Sequence, residues 1–175
     1  MDMAMIGFAD SLVYNSCSNV TIPVQVRNQG EDTATEIKFY YYLDNQPVDS
    51  TMHAVSIVGG QFDTLTLFNK SIEPGRHSLT AVLSIAGDSI ASNDTLRTTF
   101  VVRYCGGVYT IAADSTGDYT TFSQAVDTLS AVGIVGPVTF QVSNGVYDEQ
   151  VTVSNIFGSS QINSISFVGM GDSVI

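Results

Sequence analysis

Two groups of residues in this chain have the types and spacing to do chemistry: a set of carboxylates and a row of tyrosines. Asp114 and Asp118 flank a Ser-Thr-Gly turn, and Asp148 and Glu149 follow Asn144-Gly145. Carboxylates so placed suit either a calcium ion or a general acid/base pair. The plainer reading is turn chemistry, because Asp favours turns and the oxygen spacing of a calcium loop is absent. Tyr40 and Tyr42, with Lys38, fall on the strand face opposite Ile37, Phe39 and Tyr41. An exposed row of tyrosines suits stacking on sugar rings, whereas neighbouring strands or an adjacent domain would turn the same face into packing surface. His53 and His77 lack a serine, cysteine or metal-ligating partner at a telling spacing and read as structural or solvated. No Gly-x-Ser-x-Gly marks a nucleophile. The expectation is therefore no catalytic residue, no metal and no cofactor, with Lys38, Tyr40 and Tyr42 as the candidate ligand-binding set.

The surface that carries these residues is acidic. The net charge is −11, with six Lys and Arg scattered along 175 residues, which makes nucleic acid and anionic membranes poor partners. Hydrophobic residues make up 44%, ample for one or two small cores, while charged residues reach only 13%, a balance common in extracellular β-proteins. No apolar run approaches a membrane span, so no membrane insertion is expected. The N-terminus lacks the basic-then-apolar pattern of an export signal, so an exported protein would have lost that segment or carry it outside this sequence. Cys17 and Cys105 form no metal or redox motif. They are either two reduced thiols or a disulfide, and an exported setting favours the bridge.

Residues 3 to 103 read as about seven short strands between turn signals, without a helix pattern. Ala4, Ile6 and Phe8 alternate, as do Val20, Ile22, Val24 and Val26, where Pro23 demands an edge position or a bulge. Ile37 to Leu43 forms the next strand, turned by Asp44-Asn45-Gln46-Pro47. A weaker strand covers Ala54 to Val58, another Phe62 to Phe68. A turn compatible with type II at Glu73-Pro74-Gly75 leads to Leu79, Ala81, Leu83 and Ile85, and Leu96, Thr98, Phe100 and Val102 close the set. This spacing implies an antiparallel β-sandwich. The pattern Val-x-Val-x-Asn-x-Gly, then Phe-Tyr-Tyr-Tyr-Leu-Asp-Asn, Glu-Pro-Gly-Arg-His and Ser-Asn-Asp-Thr-Leu resembles the CARDB-type Ig-like domains of bacterial surface proteins. That resemblance implies a spacer or adhesion-related module over residues 1–103.

After a short junction at 104–107, residues 108–175 change character. Phe122, Ala125, Val126 and Leu129 form one helical stripe, with Thr121 as N-cap and Gln124 completing a capping box. Val138, Phe140 and Val142 alternate as a strand. Asn144-Gly145 is a corner tolerating positive φ, and Val151 and Val153 resume the alternation before a further strand at Ile165 to Val168. Asp114 to Phe122 with Gln124-Ala125-Val126, then Gly145-Val146-Tyr147-Asp148-Glu149 and Ile165 to Gly171, resembles the start of the right-handed parallel β-helix of pectinesterase-like and pectate-lyase-like proteins. The resemblance implies one capping helix, the first coils of a solenoid and a structural role for Glu149. It brings no catalytic residue, because those of the family lie several coils further on. A further strand is expected to begin at Ser173-Val174-Ile175. A coil that ends there leaves a core open, so the sequence reads as part of a longer protein able to self-associate through its C-terminal coil.

The expected function is thus a non-catalytic extracellular or outer-surface module with a polysaccharide or a host surface component as partner. The alternative is the front end of a polysaccharide lyase or esterase whose active coil lies beyond residue 175. Triplets of Asp, then Ser or Thr, then an apolar residue or Thr recur, as in Asp10-Ser11-Leu12, Asp49-Ser50-Thr51, Asp63-Thr64-Leu65, Asp127-Thr128-Leu129 and Asp172-Ser173-Val174. They resemble an O-glycosylation acceptor of some Gram-negative anaerobes, and Asp-rich turns also produce them by chance.

Overall fold

The computed structural model describes residues 1–9 and 12–171. The expected strand start at Ser173 and the triplets at Asp10 and Asp172 fall outside them. The chain divides into two compact units that do not follow its order. Unit 1 comprises Met1–Leu12, Asn19–Ser71 and His77–Phe100, and unit 2 comprises Val13–Ser18, Ile72–Arg76 and Val101–Ile175.

Unit 1 is built from antiparallel pairs. Strands β1 (Met3–Phe8), β3 (Val20–Asn28) and β6 (Phe62–Lys70) form one sheet with β3 in the middle. Strand β4 (Ala34–Leu43) lies between β5 (Gln46–Ile57) and β7 (Gly75–Ser84), with β8 (Thr95–Arg103) beyond β7. The alternation in β3 has a direct cause: Val20, Ile22, Val24 and Val26 are fully buried, and the intervening residues face out. Pro23 occupies a bulge against β6 rather than an edge, since the register shifts between Ile22 and Pro23. Asn28 ends the strand as a buried amide. Its Nδ2 donates to the carbonyls of Asp32 (2.7 Å) and Ile57 (2.8 Å), and its Oδ1 accepts from Gly30 N.

Three expectations for this unit need correction. In β1 the buried side chains are Met3, Ala4 and Met5, while Ile6 is exposed, because a bulge between Met5 and Gly7 breaks the alternation. The turn after β4 is a two-residue hairpin at Asp44 and Asn45, both at positive φ (51° and 64°), so β5 starts at Gln46 and runs twelve residues. Its first half is polar and contains Pro47, both tolerable because β5 is an edge strand. Gly75 is not among the positive-φ glycines, so the Glu73-Pro74-Gly75 turn is not type II.

Unit 2 contains a three-stranded parallel sheet in the order β11–β10–β9, made of β9 (Gly107–Ile111), β10 (Val138–Val142) and β11 (Ile165–Gly169). The strands match residue for residue, so Tyr109, Phe140 and Phe167 form one row. A short strand β2 (Val13–Asn15) pairs in parallel with Val101–Arg103 at the end of β8. Helix α1 (Phe122–Val132) buries Ala125, Val126, Leu129 and Val132. Thr121 Oγ1 accepts from Gln124 N at 3.1 Å as predicted. The Gln124 side chain, however, reaches one residue further back than a capping box, accepting from Thr120 N and Oγ1. One expectation fails here. No strand forms around Val151 and Val153, and Val153 is 53% exposed. The Asn144-Gly145 pair does not use the positive φ it tolerates.

The unit's core gathers Tyr104, Ile111, Ala125, Leu129, Ile134, Val138, Phe140 and Ile156. The hydroxyls of Tyr104 and Tyr119 are bonded to each other, and burial raises both phenols above their ordinary pKa. Cys17 and Cys105 form the disulfide, beside a bond from Cys105 N to Ser16 Oγ.

Candidate functional site

Strand β4 presents the candidate face because its inward residues are the apolar ones. Ile37, Phe39 and Tyr41 are buried, which turns Lys38, Tyr40 and Tyr42 outward. On one side β5 sets Met52, Ser50 and Pro47 opposite them, and on the other β7 sets Ser84, Val82 and Thr80. Small and polar neighbours leave the rings uncovered: Tyr40 is 40% and Tyr42 38% exposed. Lys38 Nζ lies 4.7 Å above the Tyr40 ring, a cation–π contact that orders the ring and leaves the lysine half-buried. Within unit 1 the face is therefore not converted into packing surface.

Two open depressions lie along this face, one reaching Tyr42 and the other Lys38. A cleft of about 290 Å³ is lined by Tyr42, Asn45, Thr80, Val82, Thr95 and Arg97. A larger one, about 500 Å³, includes Lys38, Met52, Glu36 and Ser84. Arg97, which the sequence did not single out, lines the first of these clefts. It comes from β8, and only the alternation Thr95, Arg97, Thr99 against Leu96, Thr98 and Phe100 hinted at its outward direction.

Three of the four carboxylates, Asp114, Asp118 and Glu149, have hydrogen-bond partners in the fold. Asp118 Oδ2 accepts from Thr110 N (2.6 Å) and Oγ1 (2.8 Å). Asp114 Oδ1 accepts from Thr116 Oγ1 (2.6 Å) and N, bonds that hold its carboxyl below the usual range. Glu149 caps α1 from outside the helix, accepting from Phe122 N (2.7 Å), Ser123 N (2.9 Å) and Ser123 Oγ (2.5 Å). The Ser123 hydroxyl leads in lowering its pKa, with the two N–H groups adding to it. Asp148 and Glu149 line a shallow groove with Thr120, Thr121 and Tyr147. Among the described residues no three or more His, Cys, Asp or Glu stand where they could hold a metal ion.

The histidines differ from one another. His77 Nδ1 lies 2.7 Å from Asp44 Oδ2, while Asp44 Oδ1 accepts from Ser78 N at 2.8 Å, so the pair braces the start of β7. His53 meets the edge of Phe39 at a centroid distance of 5.7 Å. Among the triplets, Thr128 Oγ1 is committed to Gln124 O inside α1, whereas Ser50 and Thr64 are exposed on strands.

One buried acid stands apart. Asp94 is 8% exposed, its Oδ1 has no hydrogen-bond partner, and burial, with the Asp88 and Asp2 charges, pushes its pKa up to about 6. The folded state thus holds this proton more tightly than the unfolded one. The contribution to stability is complete below the unfolded value of 3.8 and is lost as pH rises through about 6. Asp94→Asn is expected to stabilise the protein by roughly 1 kcal/mol at neutral pH and by much less at pH 4, read as the difference in urea midpoints. Equal midpoint shifts at the two pH values would refute this.

The profile of the CARDB family matches residues 10–97. The chain belongs to the CARDB family. No curated protein matches it in sequence. Similar solved structures include a domain of a cell-surface protein from Methanosarcina acetivorans, at 16% identity over 58% of this chain and 90% of that one, with a TM-score of 0.49. The CARDB domain of a Pyrococcus furiosus protein, solved in complex with di-metal ions, is 17% identical over 58% of this chain and 92% of that one, with a TM-score of 0.46. A protein described as a Bacteroides fragilis beta-galactosidase is 15% identical over 84% of this chain and 25% of that one, with a TM-score of 0.32. The CARDB match takes in Lys38, Tyr40, Tyr42 and Arg97 and stops short of the parallel sheet. A CARDB domain is compatible with a non-catalytic surface module. Among the described residues no helix is long and apolar enough to cross a membrane.

Proposed function

We propose that this protein is a non-catalytic part of an extracellular surface protein, in which the outer face of β4 binds a polysaccharide. The observation that carries the reading is the pair Tyr40 and Tyr42, two residues apart on one open face with Lys38 packed over the first ring. Rings held in a rigid strand lose little freedom when a sugar stacks on them, and cation–π ordering reduces the loss further. Titrating the protein with a panel of neutral and acidic oligosaccharides, followed by tyrosine fluorescence, tests it. Replacing either ring with alanine is expected to weaken binding about tenfold, the equivalent of about 1.4 kcal/mol. The reading fails if no glycan alters the fluorescence, or if the Tyr40→Ala, Tyr42→Ala double variant binds as the parent does.

The same proposal takes residues 1–103 as the binding module and residues 108–175 as the opening of a right-handed parallel β-helix, joined by 104–107. Three in-register parallel strands and a helix capped by Glu149 support that assignment. The exposed Phe167, Val168 and Met170, on or beside the edge strand β11, are the surface through which copies would associate. No observation favours the enzyme reading over this one.

A further inference from the structure

We infer that this face selects a glycan in which uronic acids are interspersed among neutral sugars, one carboxylate pairing with Arg97 while adjoining neutral rings stack on Tyr42 and Tyr40. The inference rests on the glycan-binding reading above and names the ligand class. Arg97 is exposed and shares its cleft with Tyr42; the other lining residues, Asn45, Thr80, Val82 and Thr95, are uncharged. Among the described residues Arg97 makes no salt bridge, although the chain holds 17 Asp and Glu against six Lys and Arg. A guanidinium without a salt bridge, in a cleft that also holds an aromatic ring, suits a planar carboxylate, which it can grip with two parallel N–H donors. The cleft volume, about 290 Å³, is near the lower bound of small-ligand sites, enough for one ring and its substituent.

The charge must be sparse, for two reasons. The chain as a whole carries −11, so a polymer with a carboxylate on every ring would gain one pairing and meet repulsion along the rest of its length. Locally, Lys38 is engaged with Tyr40, and its cleft also contains Glu36, which disfavours a second carboxylate at that end. The acidic sugar therefore belongs at the Arg97 end and the neutral rings toward Lys38.

The test uses the intact chain and three hexasaccharides: an N-acetylglucosamine hexamer, an alternating glucuronate–N-acetylglucosamine hexamer and a galacturonate hexamer, titrated calorimetrically. The alternating hexamer is expected to bind about tenfold more tightly than either of the others, with the advantage shrinking as salt is raised. Arg97→Gln should bring the alternating hexamer down to the neutral level, and Arg97→Lys should keep part of the preference. Both changes are at an exposed position, and unaltered thermal unfolding confirms the fold. Equal binding of the neutral and alternating hexamers, weakened together by Tyr42→Ala, overturns the selectivity and leaves the platform standing. Tightest binding of the galacturonate hexamer overturns the sparse-charge argument. If none of the three binds, both the selectivity and the platform fall.

Discussion

Breaking the Cys17–Cys105 disulfide is expected to lower the melting temperature by roughly 10 °C. The bond closes a sequence separation of 88 residues, for which the loop-entropy relation gives about 4.6 kcal/mol. Its importance follows from how unit 2 is assembled. The segment Val13–Ser18 belongs to that unit but is separated in sequence from Val101–Ile175 by most of unit 1. Without the bridge, β2 must find Val101–Arg103 through a three-residue parallel pairing and the contact of Ser16 with Cys105 and Arg103. A pairing that short is too weak to offset the closure entropy alone. Calorimetry with and without reductant measures the effect, and the Cys17→Ser, Cys105→Ser double variant checks that the reductant acts through this bond. A change of less than about 2 °C in both would show that the bridge contributes little.

What could be read from the sequence was mostly local. The alternation of β3 and β4 shows in single residues, and so did the outward direction of Tyr40 and Tyr42. The Thr121 cap and the apolar stripe of α1 are contained within a dozen positions, and the structure reproduces them. The missed and misplaced strands share a cause, which is pairing between distant segments. The first half of β5 looks like loop because an edge strand tolerates Pro47 and a polar run, and only its partner β4 makes it a strand. Strands β2 and β9 are short and carry little pattern of their own; each exists because a parallel neighbour lies beside it. Around Val151 and Val153 the reverse holds, since alternation is present and no partner strand receives it. The candidate face follows the same rule. Lys38, Tyr40 and Tyr42 lie on one strand, so their common side is legible from its alternation. Arg97, 55 positions beyond Tyr42, joins them only when β8 is laid next to β7.

Replacing Phe140 with alanine is expected to destabilise unit 2 by about 3–5 kcal/mol, more than any other single change along its aromatic row. Phe140 is fully buried on the middle strand of the parallel sheet, with Tyr109 and Phe167 directly across on either side. The Phe167 ring is stacked on it at 5.1 Å and 16°, Tyr109 lies at 5.9 Å, and Tyr119 and Tyr104 approach edge-on at 5.8 and 6.3 Å. Removing the central ring leaves a cavity bounded by large, constrained side chains on adjacent strands, which cannot all collapse into it. It also removes four aromatic contacts at once, each worth about 0.5–1.5 kcal/mol in favourable geometry. Phe167 provides the control. It has the same residue type and row but is 37% exposed on the edge strand, so Phe167→Ala should cost roughly 1–2 kcal/mol. Urea unfolding of the two variants measures the difference. Similar losses would mean that the row is not a core with Phe140 at its centre, whereas a large gap locates the unit's stability in the ring that both neighbouring strands share.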